Sequence, residues 1–285
     1  MSATATTTDG GRRTLSPPGR RLATVVERRT HGAYVVLRVA DPDGPPARPG
    51  QFAMLAAAER WGGGEGERPF LPRAFSVARV PAPGEAEFLL EDVGPGTERL
   101  CELEAGDGLW LLGPLGIGFG LEALADGRRP LLAGGGVGIA PLAILQDALA
   151  AAGVGAPTPA LLGFRDAAHA EGAALLRHGA RVATDDGSVG HRGRVTELLE
   201  RELERDDRAQ VYACGPPAML EAVRALCAAR GVPVQLALES GMACGYGACF
   251  GCVVPTRDGY VRLCVDGPVL DGERLESALV PGSGH

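Results

Sequence analysis

The rhythm of apolar and polar positions changes twice along the chain. Between residues 21 and 112, short apolar runs alternate with Gly/Pro punctuation. The runs are Ala23–Arg28, Ala33–Val39, Phe52–Leu55 after the Pro49-Gly50 turn, Ala74–Val80 and Glu87–Asp92. Runs of this length and spacing predict a small antiparallel β-barrel. Trp61–Glu67 is glycine-rich and reads as a surface loop. Leu112–Phe119 reads as a glycine-rich turn at the barrel's end or a linker. From residue 129 to 230 strands and helices alternate: a strand from Arg129 into a glycine turn and helix, strands at Pro159–Phe164, Ala180–Thr184 and Gln210–Cys214, and helices at Arg194–Arg205 and Pro217–Arg230. That alternation predicts a doubly wound parallel sheet. A cysteine-rich segment begins near Val234. The predicted fold class is therefore multidomain β plus α/β, in four parts: a disordered tail (1–20), a barrel (21–120), an α/β domain (121–232) and a small C-terminal cysteine domain (233–285).

Composition narrows the function. With 45% apolar and 22% charged residues among 285, the chain is globular. Its 43 glycines and 22 prolines lack a three-residue period and imply tight turns. All 28 basic residues are Arg, which excludes Schiff-base and Walker-lysine chemistry. A net charge of −7 argues against a nucleic-acid partner. The apolar stretch Leu131–Phe164 carries a single charge, Asp147, but Gly134, Gly135, Gly136, Gly138 and Pro141 interrupt it. It reads as a buried strand, turn and helix, with no membrane span. A cytoplasmic location follows as the expectation, with no disulfides.

The cysteines then need another account. Cys101, Cys214 and Cys227 are scattered, whereas Cys244, Cys249, Cys252 and Cys264 form C-x4-C-x2-C-x11-C. This is the plant-type [2Fe–2S] spacing. Three thiols come from one tight loop whose glycines, Gly245, Gly247 and Gly251, let backbone N–H groups face the sulfurs, and the fourth comes from a later strand. A zinc site and four buried cysteines are the competing readings; zinc ribbons space C-x2–4-C pairs by a longer gap.

Further motifs suggest nucleotide chemistry. Arg73-Ala74-Phe75-Ser76 and Gly96-Thr97 offer an Arg fork, a hydroxyl and a backbone turn to a pyrophosphate, or are ordinary surface turns. Gly134, Gly135, Gly136 and Gly138 lie between strand and helix, where a dinucleotide pyrophosphate binds, or form only a tight βα turn. Cys214-Gly215 ends a strand, as a pocket wall or a buried small residue. Phe164-Arg165-Asp166 ends another with both an Arg and an Asp, leaving NAD against NADP open. Glu239 stands before the cysteine loop, either near a flavin or as an ordinary partner of an Arg or a backbone group. His31, His169, His178, His191 and His285 are dispersed and read as surface residues.

Taken in order, barrel, R-x-x-S, G-x-G-T, GGGVGIAPL, CGPP and the cysteine spacing resemble the ferredoxin–NADP reductase superfamily. LESGMACGYGACFGC, Leu263–Val269 and Thr184-Asp185-Asp186-Gly187-Ser188 narrow this to a resemblance with electron-transfer subunits of NAD-dependent, class 1B dihydroorotate dehydrogenases, over residues 21–275. Ala74, commonly Pro in that family, and Gly241, often Arg, depart from it. The resemblance implies FAD contacts at Arg73–Ser76, Leu89, Leu90, Glu91, Gly96 and Thr97, NAD at the glycine turn and Cys214-Gly215, and cluster ligands at the four cysteines. The barrel is then the flavin domain and the C-terminal domain the cluster domain. It further implies no catalytic acid or base in this chain, and an FMN-containing catalytic subunit as partner in a two-plus-two heterotetramer serving pyrimidine synthesis. The alternatives are a reductase subunit of another redox complex, such as an oxygenase or sulfhydrogenase, and a zinc-stabilised nucleotide-binding regulator.

Overall fold

Alternation of apolar and polar side chains puts one face of each early strand inward. In the computed structural model, which describes residues 11–62, 69–154 and 160–280, these strands close into a barrel. Residues 1–10 of the predicted tail, 63–67 of the predicted loop, Pro159 and His285 lie outside the described residues. The barrel is built from β1 (Arg21–His31), β2 (Tyr34–Ala40), β3 (Phe52–Ala57), β4 (Arg73–Arg79), β5 (Glu85–Glu91) and β6 (Gly108–Leu115), in the order β1-β2-β5-β4-β3-β6, all antiparallel. Val25, Leu37, Leu55, Phe88, Leu90 and Leu109 fill its core. The sixth strand occupies part of the expected turn: Gly113-Pro114 breaks the apolar pattern without ending the pairing to β3. Gly96-Thr97 lies in a short helix, α1 (Pro95–Cys101).

The second unit is a seven-stranded sheet. β7 (Arg129–Gly135), β8 (Ala160–Phe164), β9 (Ala180–Thr184), β10 (His191–Arg192), β11 (Ala209–Cys214) and β12 (Val234–Ala237) run parallel. Two-residue periodicity splits its side chains between two cores. Leu131, Ala133, Leu161, Val211 and Ala213 meet α4 (Val195–Arg205) and α5 (Pro217–Arg230) on one face. Leu132, Leu162, Tyr212 and Cys214 meet α2 (Ala140–Ala151) on the other. Pro217 opens α5, and Gly231, left-handed at φ 63°, closes it. A short helix, α3 (Ala167–Ala170), follows β8. From β4, the buried Arg79 donates to Asp147 on α2 at 2.6 Å and to the Leu175 carbonyl at 3.0 Å, tying barrel to sheet.

The cysteine segment is less separate than its composition suggests. After β13 (Val253–Thr256), β14 (Gly259–Arg262) and the short helix α6 (Leu263–Asp266), strand β15 (Val269–Asp271) adds antiparallel to β12. So β12, expected in the cysteine domain, belongs to the parallel sheet; four buried residues carry too little periodicity to say so. Residues 11–16, expected within a free tail, run along the barrel and reach the cysteine segment as a strap. Arg12 exchanges hydrogen bonds with Gly118, Thr14 with the Gln51 side chain, Ser16 donates to Gly113 at 2.7 Å, and Arg13 donates to the Val265 carbonyl. Among the described residues no helix is long and apolar enough to cross a membrane.

Candidate functional site

The cysteine loop leaves Glu239 and returns at Cys252 without regular structure. Two left-handed glycines let it curl tightly, Gly245 at φ 79° and Gly247 at φ 85°. Side chains are also sterically barred there: a Cβ on Gly245 would lie 2.5 Å from Met54 Cγ, and one on Gly247 2.7 Å from Val265 Cγ2. Cys252 and Cys264 are buried with their sulfurs 3.2 Å apart, and the Cys264 N–H donates to Cys252 Sγ at 3.4 Å. Cys249 is exposed and takes the Gly251 N–H at 3.4 Å. Burial pushes the Cys264 thiol up to about 12, aided by Cys252. At Cys244 burial also pushes up, but the N–H groups of Cys249, Tyr246 and Ala248 and the Cys249 side chain outweigh it, leaving the thiol down at about 6. Among the described residues no three His, Cys, Asp or Glu side chains converge as one metal ion requires. The thiols stand as two pairs, Cys252 with Cys264 and Cys244 with Cys249, fed by backbone N–H groups. The four thiols, with backbone N–H groups aimed at their sulfurs, would fit an iron–sulfur cluster, to which they would supply the ligands.

Across β3 lies the R-x-x-S segment. Met54, the residue against Gly245, pairs with Ala74 of β4. Arg73 lies over the Trp61 ring at 5.8 Å and donates to the Leu71 carbonyl at 2.6 Å. Its guanidinium fills the space beside Gly96, where a Cβ would sit 2.5 Å from Nε. Thr97 Oγ1 accepts from the Val93 N–H and donates to the Gly94 carbonyl, both at 2.9 Å, which fixes that turn. Arg73, Gly96 and Thr97 thus come together at one turn, with Ala74, Phe75 and Ser76 running on along β4. Leu89 and Leu90 do not join them; both side chains are buried in apolar cores. Glu91 turns its carboxylate to Arg165, 2.5 Å away, and His169, 3.2 Å away. His169 was expected at the surface; its ring packs edge-on against Tyr34 and binds Asp166 at 2.7 Å, because α3 folds back onto the barrel.

The glycine turn and the strand end at Cys214 also meet. Cys214 pairs with Gly134, and a Cβ on Gly138 would lie 2.5 Å from the Gly215 nitrogen. Gly135 is equally confined, 2.7 Å from Met219 Sδ to a built Cβ, while Gly136 is left-handed at φ 56° in open space. All lie at the carboxyl ends of β7 and β11, where doubly wound sheets bind ligands. Glu239 has no Arg partner among the described residues. The residue is exposed, yet its Oε1 lies 4.0 Å from the buried Cys214 sulfur. Desolvation on that side pushes its carboxyl above the usual carboxylate range, and burial followed by Glu239 pushes the Cys214 thiol well up. Only spatial proximity identifies this pair, 25 residues apart in sequence.

Comparison with known proteins fits this geometry. A family model described as the iron-sulfur cluster binding domain of dihydroorotate dehydrogenase B matches residues 239–276, and one described as the oxidoreductase NAD-binding domain matches 132–225. The dihydroorotate dehydrogenase B (NAD(+)) electron transfer subunit of Geobacillus thermodenitrificans is 41% identical over 229 residues, covering 78% of this chain and 84% of the relative. That of Desulforamulus reducens is 36% identical over 231 residues, with 78% and 84% covered. Among solved structures, one reported for the NADH-dependent reduced ferredoxin-NADP oxidoreductase superposes with a TM-score of 0.77 at 27% identity, covering 93% of both chains. A ferredoxin NADP+ reductase from Neisseria gonorrhoeae with bound FAD and NADP shares the fold, with a TM-score of 0.59 at 20% identity over 74% of this chain and 92% of that one.

Proposed function

The chain belongs to the family of dihydroorotate dehydrogenase B electron transfer subunits, and from that premise we propose how its residues carry electrons between a dehydrogenase partner and NAD+. Its cofactors are a [2Fe–2S] cluster, FAD and NAD. When bound, these supply one-electron steps at the cluster and hydride exchange at the flavin, while the chain supplies position and electrostatics. Cys244, Cys249, Cys252 and Cys264 hold the cluster. Arg73, Gly96 and Thr97 hold the FAD pyrophosphate, with Ala74, Phe75 and Ser76 beside the flavin and only the backbone of Leu89–Glu91 available to it. Gly134, Gly135, Gly136 and Gly138 offer N–H groups to NAD, and Cys214-Gly215 walls the nicotinamide end. Glu239 Oε1 faces the Cys214 thiol beside that wall.

One observation carries this reading. Gly245 of the cysteine loop rests on Met54, whose strand neighbour is Ala74 of the flavin segment. This contact supports a reading in which one-electron and two-electron sites share a wall inside one chain.

The partner is an FMN-containing catalytic subunit, in a two-plus-two assembly of pyrimidine synthesis. Tyr246, Phe250 and Tyr260, 63%, 62% and 80% exposed around the cysteine loop, form the apolar rim it meets. The compartment is the cytoplasm, which suits seven cysteines free of disulfides. The test is the visible spectrum of anaerobically purified protein, with iron, sulfide and flavin counted on one sample. About two irons and one FAD per chain are expected for such a cluster and flavin. A colourless protein holding one zinc refutes the redox reading.

A further inference from the structure

We propose that Arg262 is the positioning residue of the cluster site, joining the two chain segments that carry the four thiols and favouring the reduced cluster by its charge. The inference rests on the cluster reading above and concerns a residue outside the ligand set. Arg262 ends β14, two residues before Cys264. Its guanidinium turns back over the other segment. Nη1 reaches the Gly247 carbonyl at 3.3 Å, between Cys244 and Cys249. Cζ stands 5.5 Å from the centre of the Phe250 ring, between Cys249 and Cys252. One cation thus touches the loop on both sides of Cys249.

The loop needs that support. Phe250 has a left-handed backbone, φ 60°, which a bulky residue adopts only when its surroundings hold it. Its ring is 62% exposed, and Arg262 is the partner stacked on it. Asp266 orients the arginine from its own segment: its Oδ2 accepts the Arg262 N–H at 2.9 Å and lies 3.4 Å from Nε. Both side chains are more than a third exposed, so this pair aims the guanidinium more than it stabilises the fold. Gly247 admits the arrangement, since a Cβ there would approach Nη1 to 3.1 Å.

The charge has a second effect. Reduction would add one negative charge to the cluster, and a cation beside the ligand-bearing loop favours that state. Removing the cation also leaves the Asp266 carboxylate uncompensated beside the site, which acts in the same direction. The loop contacts and the charge can be separated by two substitutions, Arg262→Gln and Arg262→Lys.

The experiment uses the full chain with cluster and FAD in place. It measures cluster and flavin midpoint potentials by EPR-monitored titration, and the rate of iron release to a chelator. Arg262→Gln is expected to shift the cluster midpoint negative, leave the flavin midpoint in place and release iron roughly fivefold faster, as loss of one cation–π contact implies. Arg262→Lys keeps the charge on a point-like head that cannot span both contacts. It is expected to keep the midpoint while releasing iron faster. An Arg262→Gln protein with wild-type midpoint and wild-type iron release overturns the inference. If Arg262→Gln assembles no cluster, Arg262→Lys decides: faster iron release at an unshifted midpoint supports the inference, and wild-type release overturns it. A wild-type chain that takes up no iron and sulfide overturns the cluster reading itself, and this inference with it.

Discussion

Gly96→Ala separates binding from stability at the proposed FAD site. Gly96 is buried in the first turn of α1 and its φ is not in the left-handed region, so alanine fits the backbone. In a helix that change stabilises by about 0.5–1 kcal/mol. The added Cβ, however, would stand 2.5 Å from Nε and 2.6 Å from Cζ and Nη2 of Arg73. Relief to van der Waals distance moves the guanidinium by about 1 Å, enough to break its hydrogen bonds to a bound anion. Such charge-assisted bonds contribute about 1.5–3 kcal/mol, so the FAD dissociation constant rises roughly 10- to 150-fold. Fluorescence titration of the apo-flavoprotein measures this, alongside its thermal melt. Wild-type FAD affinity in a protein that melts no earlier would refute the role given to Arg73 and Gly96.

Cys249→Ser removes the exposed thiol, so the cluster is lost or crippled; transfer to the partner stops while NADH-dependent dye reduction at FAD largely survives, and equal loss of both activities counts against the division of labour. Glu239→Gln removes a carboxyl whose folded-state pKa lies above its unfolded value. The wild type then holds an extra proton on folding between those two values, so its stability is full below the unfolded pKa and falls as pH rises through the folded one. Thermal melts from pH 4 to 8, a span of about four units around the ordinary Glu range, should show this fall in the wild type and not in the variant; parallel curves would contradict the assignment.

Some of this was legible in the chain and some was not, for physical reasons. The α5 helix could be bounded to the residue because Pro217 and Gly231 act locally. β7 and β11 announce themselves as apolar runs, and the four cysteines stand out by their C-x4-C-x2-C-x11-C spacing. β6 was hidden because Gly113-Pro114 interrupts its alternation while β3 still supplies partners. β12 and β15, four and three residues long, exist only through their neighbours. Leu89 and Leu90 sat inside a cofactor motif, yet their side chains serve the cores, because alternation in β5 sends them to opposite faces. Arg262 and the strap act through arginine bonds to carbonyls, which leave no periodic trace.

That strap also dictates an order of events during synthesis. Arg13 leaves the ribosome early but binds the Val265 carbonyl, 252 residues downstream. At about 5–20 residues per second, the wait is roughly 10–50 s. Gln51 and Gly113, its barrel partners, emerge well before that. The Arg13 end of the strap thus completes its docking only on a chain whose final thiol-bearing segment has already been delivered.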